Sequence, residues 1–232
     1  MQNAVPDNPE RRFVLRYAQA TDRGRVRPDN EDAMTAHTAA GAALFAVADG
    51  LGGMMHGEVA SRSAVDTLSR WFTALKTEPT TGELAAAFEE ANAAIWRLNR
   101  AQPVDDWMAT TLTACVFVPG RLFTAHVGDS RLYLCRGDRI RQMTVDHSAG
   151  RHELTRVVGM QAGARPDLAE HAWEPGDVYV LCTDGLYSMV SEARLLRAAC
   201  AYPPEEACRR LLSEGNAAGG FDNLTLQIVM LK

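Results

Sequence analysis

Apolar and polar positions alternate over residues 13–19, with Phe13, Leu15 and Tyr17 on one face, the period-two pattern of a half-buried strand. A charged, turn-rich stretch follows over residues 21–32. Residues 42–48 then form a nearly continuous apolar run, the pattern of a strand covered on both faces. The period next lengthens. Val59, Ser63 or Ala64, Leu68, Trp71 or Phe72 and Leu75 recur at helical steps, as do Leu84, Ala87 or Phe88, Ala91, Ile95 and Leu98. Two helices are predicted, each with a single apolar stripe and therefore each lying on a sheet. Strand patterns return at 111–118, 122–127, 131–135 and 140–143, punctuated by Pro119-Gly120 and Gly137-Asp138. Links this short join antiparallel strands, because parallel neighbours need a long crossover. A buried strand at 177–183, helices at 191–201 and 204–214, and a strand at 224–231 complete the pattern, with Pro204 suited to a first helical position.

This order of elements predicts an α+β fold: a four-layer α-β-β-α sandwich, two antiparallel sheets flanked by helices. Residues 1–11 are polar and carry two prolines, and read as a flexible N-terminal arm. No repeat or linker divides the remainder, so residues 12–232 are expected to form a single domain.

Composition narrows the function. With 24 Lys and Arg against 29 Asp and Glu, the formal charge is −5, which argues against a nucleic-acid partner. Cys115, Cys135, Cys182, Cys200 and Cys208 are odd in number and show no CxxC spacing, and several sit in apolar runs. That favours a reduced compartment. The first residues lack a secretory signal pattern, and no apolar run approaches the roughly 18 residues of a membrane span. A cytoplasmic protein with no membrane partner is expected. No long apolar patch demands a second copy, so a monomer is expected.

The chemistry lies in where the acidic residues fall. Asp49 directly follows the run at 43–48, Asp184 follows 178–183, Asp129 follows 122–127 after one glycine, and Asp222 precedes the final strand. A carboxylate at the lip of an apolar strand is costly unless it is paired or binds a cation. Each of these aspartates alone could be turn chemistry; the four together point to an oxygen-rich cation site. Arg27-Pro28-Asp29-Asn30-Glu31-Asp32 could be a solvated loop. Beside Asp49 it offers a further metal oxygen in Glu31 and a fork for phosphate or carboxylate in Arg27. Oxygen ligands without a His/Cys cluster point to Mg²⁺ or Mn²⁺ rather than zinc.

Five motifs occur in one order: Asp22-x-Gly24-x-x-Arg27-x-x-Asn30-Glu31-Asp32, Val47-Ala48-Asp49-Gly50-Leu51-Gly52-Gly53, His126-Val127-Gly128-Asp129-Ser130-Arg131, Thr183-Asp184-Gly185-Leu186 and Asp222-Asn223-x-Thr225. Together they resemble the bacterial branch of the metal-dependent Ser/Thr protein phosphatases, the protein phosphatase 2C type, over residues 13–230. The resemblance implies two Mn²⁺ or Mg²⁺ ions. Asp49 would bridge them, Glu31 and the Gly50 carbonyl would serve one, and Asp184 and Asp222 the other. Asp32 would orient a ligand or a water from behind, and Arg27 would grip the substrate phosphate. Water held between the ions would attack phosphorus directly. Phosphoserine and phosphothreonine proteins would be the substrates, and a bacterial Ser/Thr kinase the opposing partner.

Three departures from the family pattern stand out. A histidine common in or just after the Asp-Gly-x-Gly-Gly segment is replaced by Leu51 and Met54, leaving His56 as the candidate general acid. A third ion, which many members bind through the Asp129 position and a second aspartate, would bind weakly because Ser188 occupies that second place. Only five residues separate Ser148 from Leu154, where members usually insert a mobile flap, so an open cleft with specificity set elsewhere is expected. A non-catalytic phosphoprotein-binding relative is disfavoured by the intact carboxylate set. A small-molecule phosphatase stays open.

Overall fold

The computed structural model of the protein describes residues 14–39, 41–52, 56–150 and 153–232. The expected arm, Phe13, Gly53 and Met54 lie outside the described residues. In chain order the strands and helices are β1 (Leu15–Asp22), β2 (Asp32–Ala39), β3 (Ala42–Gly52), α1 (Gly57–Ala74), α2 (Thr81–Asn99), β4 (Met108–Thr110), β5 (Leu112–Val118) and β6 (Arg121–Val127). They continue with β7 (Arg131–Arg136), β8 (Arg139–Gln142), β9 (Asp167–Ala172), β10 (Val178–Cys182), α3 (Asp184–Tyr187), α4 (Glu192–Ala201), α5 (Pro204–Ala217) and β11 (Leu224–Leu231).

The strands form two antiparallel sheets. One runs β1-β11-β10-β7-β8; the other runs β2-β3-β5-β6-β9, with β4 paired to the end of β3. Helices α1 and α2 cover the second sheet, and α4 and α5 cover the first. This is the expected four-layer sandwich. Side-chain alternation along single strands builds the layers. On β3, Leu44, Ala46 and Ala48 pack beneath α1 and α2 with Leu68, Phe88 and Ile95. Ala43, Phe45 and Val47 face the other sheet and meet Phe117, Tyr179 and Leu181. On β11, Leu224, Leu226 and Ile228 face α3 to α5 while Val229 and Leu231 face between the sheets. Helix α2 starts at a capping box, in which the Thr80 hydroxyl accepts from the Glu83 N–H and the Glu83 carboxylate accepts from the Thr80 N–H. Pro204 opens α5 as expected.

Several elements differ from the sequence expectation. The apolar run of β3 ends at Ala48, yet the strand continues to Gly52 because β4 supplies a partner for its last residues. Asp49 and Gly50 are therefore strand residues and form no turn. The strand expected over 111–118 starts at Leu112, and Thr111, whose N–H donates to the Asp49 carbonyl at 2.9 Å, separates it from β4. Strands β2 and β9 and the one-turn helix α3 carry no apolar period and were not expected. All five cysteines are free thiols. Among the described residues no helix is long and apolar enough to cross a membrane.

Candidate metal centre

At one end of the sandwich the strand ends converge. Glu31 just before β2, Asp49 and Gly50 on β3, Asp129 between β6 and β7, Asp184 at the start of α3, and Asp222 before β11 all line one cavity of about 490 Å³. Arg27 lines it too. The space between the sheets turns polar toward this end. Asp49 continues the inter-sheet face of Phe45 and Val47, and Asp32 is its register partner across β2 and β3. The Thr183 hydroxyl donates to Asp32 Oδ2 at 2.9 Å, and Asp32 is buried.

A small set of hydrogen bonds locks the two sheets together here. Asn223 Oδ1 accepts from the Glu31 N–H at 2.9 Å, and Asn223 Nδ2 donates to the carbonyls of Arg23 and Asp29, both at 2.9 Å. The Glu31 carbonyl accepts from the Ser61 hydroxyl at 2.6 Å and from the Gly50 N–H at 3.1 Å. Arg27 Nη2 donates to Asp222 Oδ2 at 2.9 Å. Two glycines permit the close approach. A Cβ on Gly50 would lie 2.2 Å from the Gly57 carbonyl oxygen, and one on Gly185 would lie 2.0 Å from that of Asn223. Side chains have no room there.

The charges do not balance. Five carboxylates face the cavity with one guanidinium, and burial penalises like charges gathered there. Burial holds the Asp49 carboxyl well above the usual carboxylate range, and Asp32, Asp184, Asp129 and Asp222 add repulsion. Asp32 is raised to about 7, again chiefly by burial, against the pull of hydrogen bonds from Thr225 and Thr183. Asp129 is raised to about 6 by burial, then by Asp184 and Asp146. Burial raises Glu31, with Glu58 adding to it. Partial burial works against the Arg27 charge, but the carboxylates led by Asp222 outweigh it and raise its pKa.

The donor chemistry suits hard dications: carboxylate and carbonyl oxygens, gathered with an excess of negative charge. Among the described residues no three acidic, histidine or cysteine side chains form a cage able to hold an ion by themselves. The carboxylates instead stand around a shared cavity.

The other sequence candidates fall unevenly. Ser188 lies beside Asp129 and Asp184 in an adjoining hollow. His56 caps the start of α1, where its carbonyl accepts from the N–H groups of Val59 and Ala60; it is not among the residues lining the cavity. It is also the one non-glycine residue at positive φ (138°) among the described residues. The short segment after Ser148 closes through a bridge to Leu154, with the Ala149 N–H donating to the Glu153 carbonyl at 2.8 Å. Asn223 as a connector was missed, although an amide next to an acidic residue at a strand start is a visible signal.

Comparison with known proteins gives the chain its family. The family model for protein phosphatase 2C matches residues 24–214. The chain belongs to the protein phosphatase 2C family. Within it, the serine/threonine protein phosphatase PstP of Mycobacterium tuberculosis is 36% identical over 238 residues, covering 93% of this chain and 45% of PstP. The chain thus spans about half the length of that curated relative. The serine/threonine phosphatase stp of Listeria innocua is 33% identical over 235 residues, covering 90% of this chain and 93% of its own. A crystal structure of the PstP catalytic domain in complex with two manganese ions superposes with a TM-score of 0.83 at 34% identity, covering 94% of this chain and 99% of that one.

Proposed function

We propose that this protein phosphatase 2C member is a divalent-cation-dependent phosphatase that removes phosphate from phosphoserine and phosphothreonine in proteins, opposing a Ser/Thr kinase. The observation that carries the reading is the gathering of five carboxylates and one guanidinium in a single cavity at the open end of the sandwich. The relatives' names and the manganese in the PstP domain support it.

Asp49 would be shared by two ions, Glu31 and the Gly50 carbonyl would hold one of them, and Asp184 and Asp222 the other. Asp129 would give a third ion only weak purchase, since Ser188 offers a hydroxyl where a carboxylate would bind better. When bound, the cations supply a lowered pKa for water and positive charge toward the phosphoryl oxygens. The chain's own residues do the rest. Arg27 spends one N–H on Asp222 and is about half exposed, so its remaining donors can meet phosphate oxygens from the solvent side. Asp32, fixed by Thr183, backs Asp49 from the protein side. Asn223 keeps the Glu31 backbone and the loop carrying Arg27 in register with β11. His56, the residue before Gly57 at the start of α1, would be the candidate to protonate the leaving oxygen, although it is not among the residues lining the cavity.

Phosphate release from a phosphothreonine peptide, measured with and without Mn²⁺ for the wild type and Asp49→Asn, tests the proposal. Turnover should require the metal and should nearly vanish in the variant, whose neutral amide bridges two dications poorly. Equal rates in the two proteins would refute the assignment.

A further inference from the structure

The cavity extends beyond its carboxylates. Its other side is apolar, built from Leu51 on β3, Trp107 and Ala109 around β4, and Leu154, Val157 and Met160 from the segment before β9. Met160 is 38% exposed, and Leu51, Trp107, Leu154 and Val157 are half-buried. Apolar surface held open to water in a concave site marks a place where something apolar binds.

The wall is also braced. The Trp107 ring packs edge-on against Trp96 with centroids 5.3 Å apart, and the Trp107 backbone N–H donates to the Val104 carbonyl at 3.1 Å. Val158, next to Val157, exchanges two backbone hydrogen bonds with Thr110 at 3.1 and 2.9 Å. Gly159, next to Met160, donates its N–H to Asn92 Oδ1 at 2.8 Å and accepts from Asn99 Nδ2 at 2.9 Å. A surface fixed in this way needs little ordering when a ligand arrives.

Phosphoryl chemistry has no use for these side chains, yet they share one cavity with the acidic floor. A phosphorylated Ser or Thr whose phosphate reaches that floor brings its neighbouring residues against the wall. We infer that the Leu51–Trp107–Met160 wall is a subsite for an apolar side chain flanking the phosphorylated residue of the substrate. Selectivity then resides within the cleft, despite the short flap segment. This rests on the phosphatase reading proposed above.

The test uses three Mn²⁺-dependent substrates: N-acetyl-phosphothreonine amide, which has no flanking side chains, and two phosphothreonine peptides whose flanking residues are leucine in one and serine in the other. The wild type should favour the leucine peptide by about tenfold in kcat/KM, the scale of one apolar contact. The ratio should fall toward one in Met160→Ser and in Trp107→Ser. It is compared within each protein, so a general loss of activity cancels. A readout without turnover accompanies it: in ¹³C-methyl-methionine protein, the Met160 signal should shift with the leucine peptide and not with the serine peptide. A wild-type ratio near one, or a ratio unchanged in the variants, overturns the subsite and leaves the phosphatase reading standing. Self-association lost in Met160→Ser, without any peptide preference, assigns the wall to a second copy and overturns it too. No turnover of any of the three substrates removes the phosphatase reading and the subsite with it.

Discussion

Asp32 and Asp49 are register partners on adjacent antiparallel strands, so a buried and a half-buried carboxyl group share the space between the sheets. Side chains of directly opposed residues project to the same face. Like charges this close cannot both ionise without help, and burial deepens the penalty. The pair is the innermost part of the acidic floor, and it makes stability depend on protons and on cations together.

The first prediction concerns pH. The Asp32 pKa is raised from an ordinary 3.8 to about 7 in the folded chain. The unfolded chain gives up this proton first, so the contribution to stability is full below about pH 4 and is lost as pH rises toward 7. At roughly 1.4 kcal/mol per pKa unit the loss is on the order of a few kcal/mol. His126, lowered to about 4 chiefly by burial, acts oppositely below pH 6.5. Manganese separates the two: its binding displaces protons from the carboxylates. The rise in Tm on adding Mn²⁺ should therefore be larger at pH 7.5 than at pH 5.5, as thermal melts at the two pH values would show.

Asp49→Asn should separate stability from function. The amide resembles the protonated acid and removes a charge that burial opposes. Without metal the variant should melt several degrees above the wild type, given about 2–4 °C per kcal/mol for a domain of this size. With Mn²⁺ the order should reverse, because the wild type gains stability from the ions and the variant does not. Calorimetric melts of both proteins, with and without the metal, provide the comparison.

Arg27→Ala should raise KM for phosphopeptides by roughly ten- to a hundredfold, the range of a lost charge-assisted hydrogen bond, and change kcat less. Arg27 meets Asp222 from the solvent side, so its loss leaves the carboxylate in place. Manganese affinity, measured by titration calorimetry, should hold or improve.

Asn223→Ala should destabilise the protein by about 2–4 kcal/mol. It leaves the Glu31 N–H and the carbonyls of Arg23 and Asp29 without their partner. Asn223→Asp keeps the acceptor for Glu31 but loses both donors and adds an anion, so it should weaken the fold as well. Urea midpoints for both variants check the ranking.

The helices and the central strands β3, β5, β6 and β11 were legible because their apolar periods are long and unbroken. Strand β2, with the sequence Asp-Ala-Met-Thr-Ala-His-Thr-Ala, has small and polar residues and forms because β3 offers a full-length partner. Strand β9 lies at a sheet edge, where half-exposed positions need no apolar pattern. The acidic floor was legible because strand-end carboxylates beside glycine are conspicuous in a chain. The depth of Asp49 was hidden, since the strand runs on past the apolar residues only with β4 beside it. The wall of Trp107, Val157 and Met160 was hidden too. Its members come from separate segments with no common spacing, and only the folded chain places them together.

Anomalous diffraction from crystals grown in Mn²⁺ addresses the central claim most directly. Two manganese peaks should appear in the cavity, both ligated by the Asp49 carboxylate, with Asp184 and Asp222 on one and Glu31 on the other. A cavity without manganese, or ions bound away from Asp49, would contradict the account.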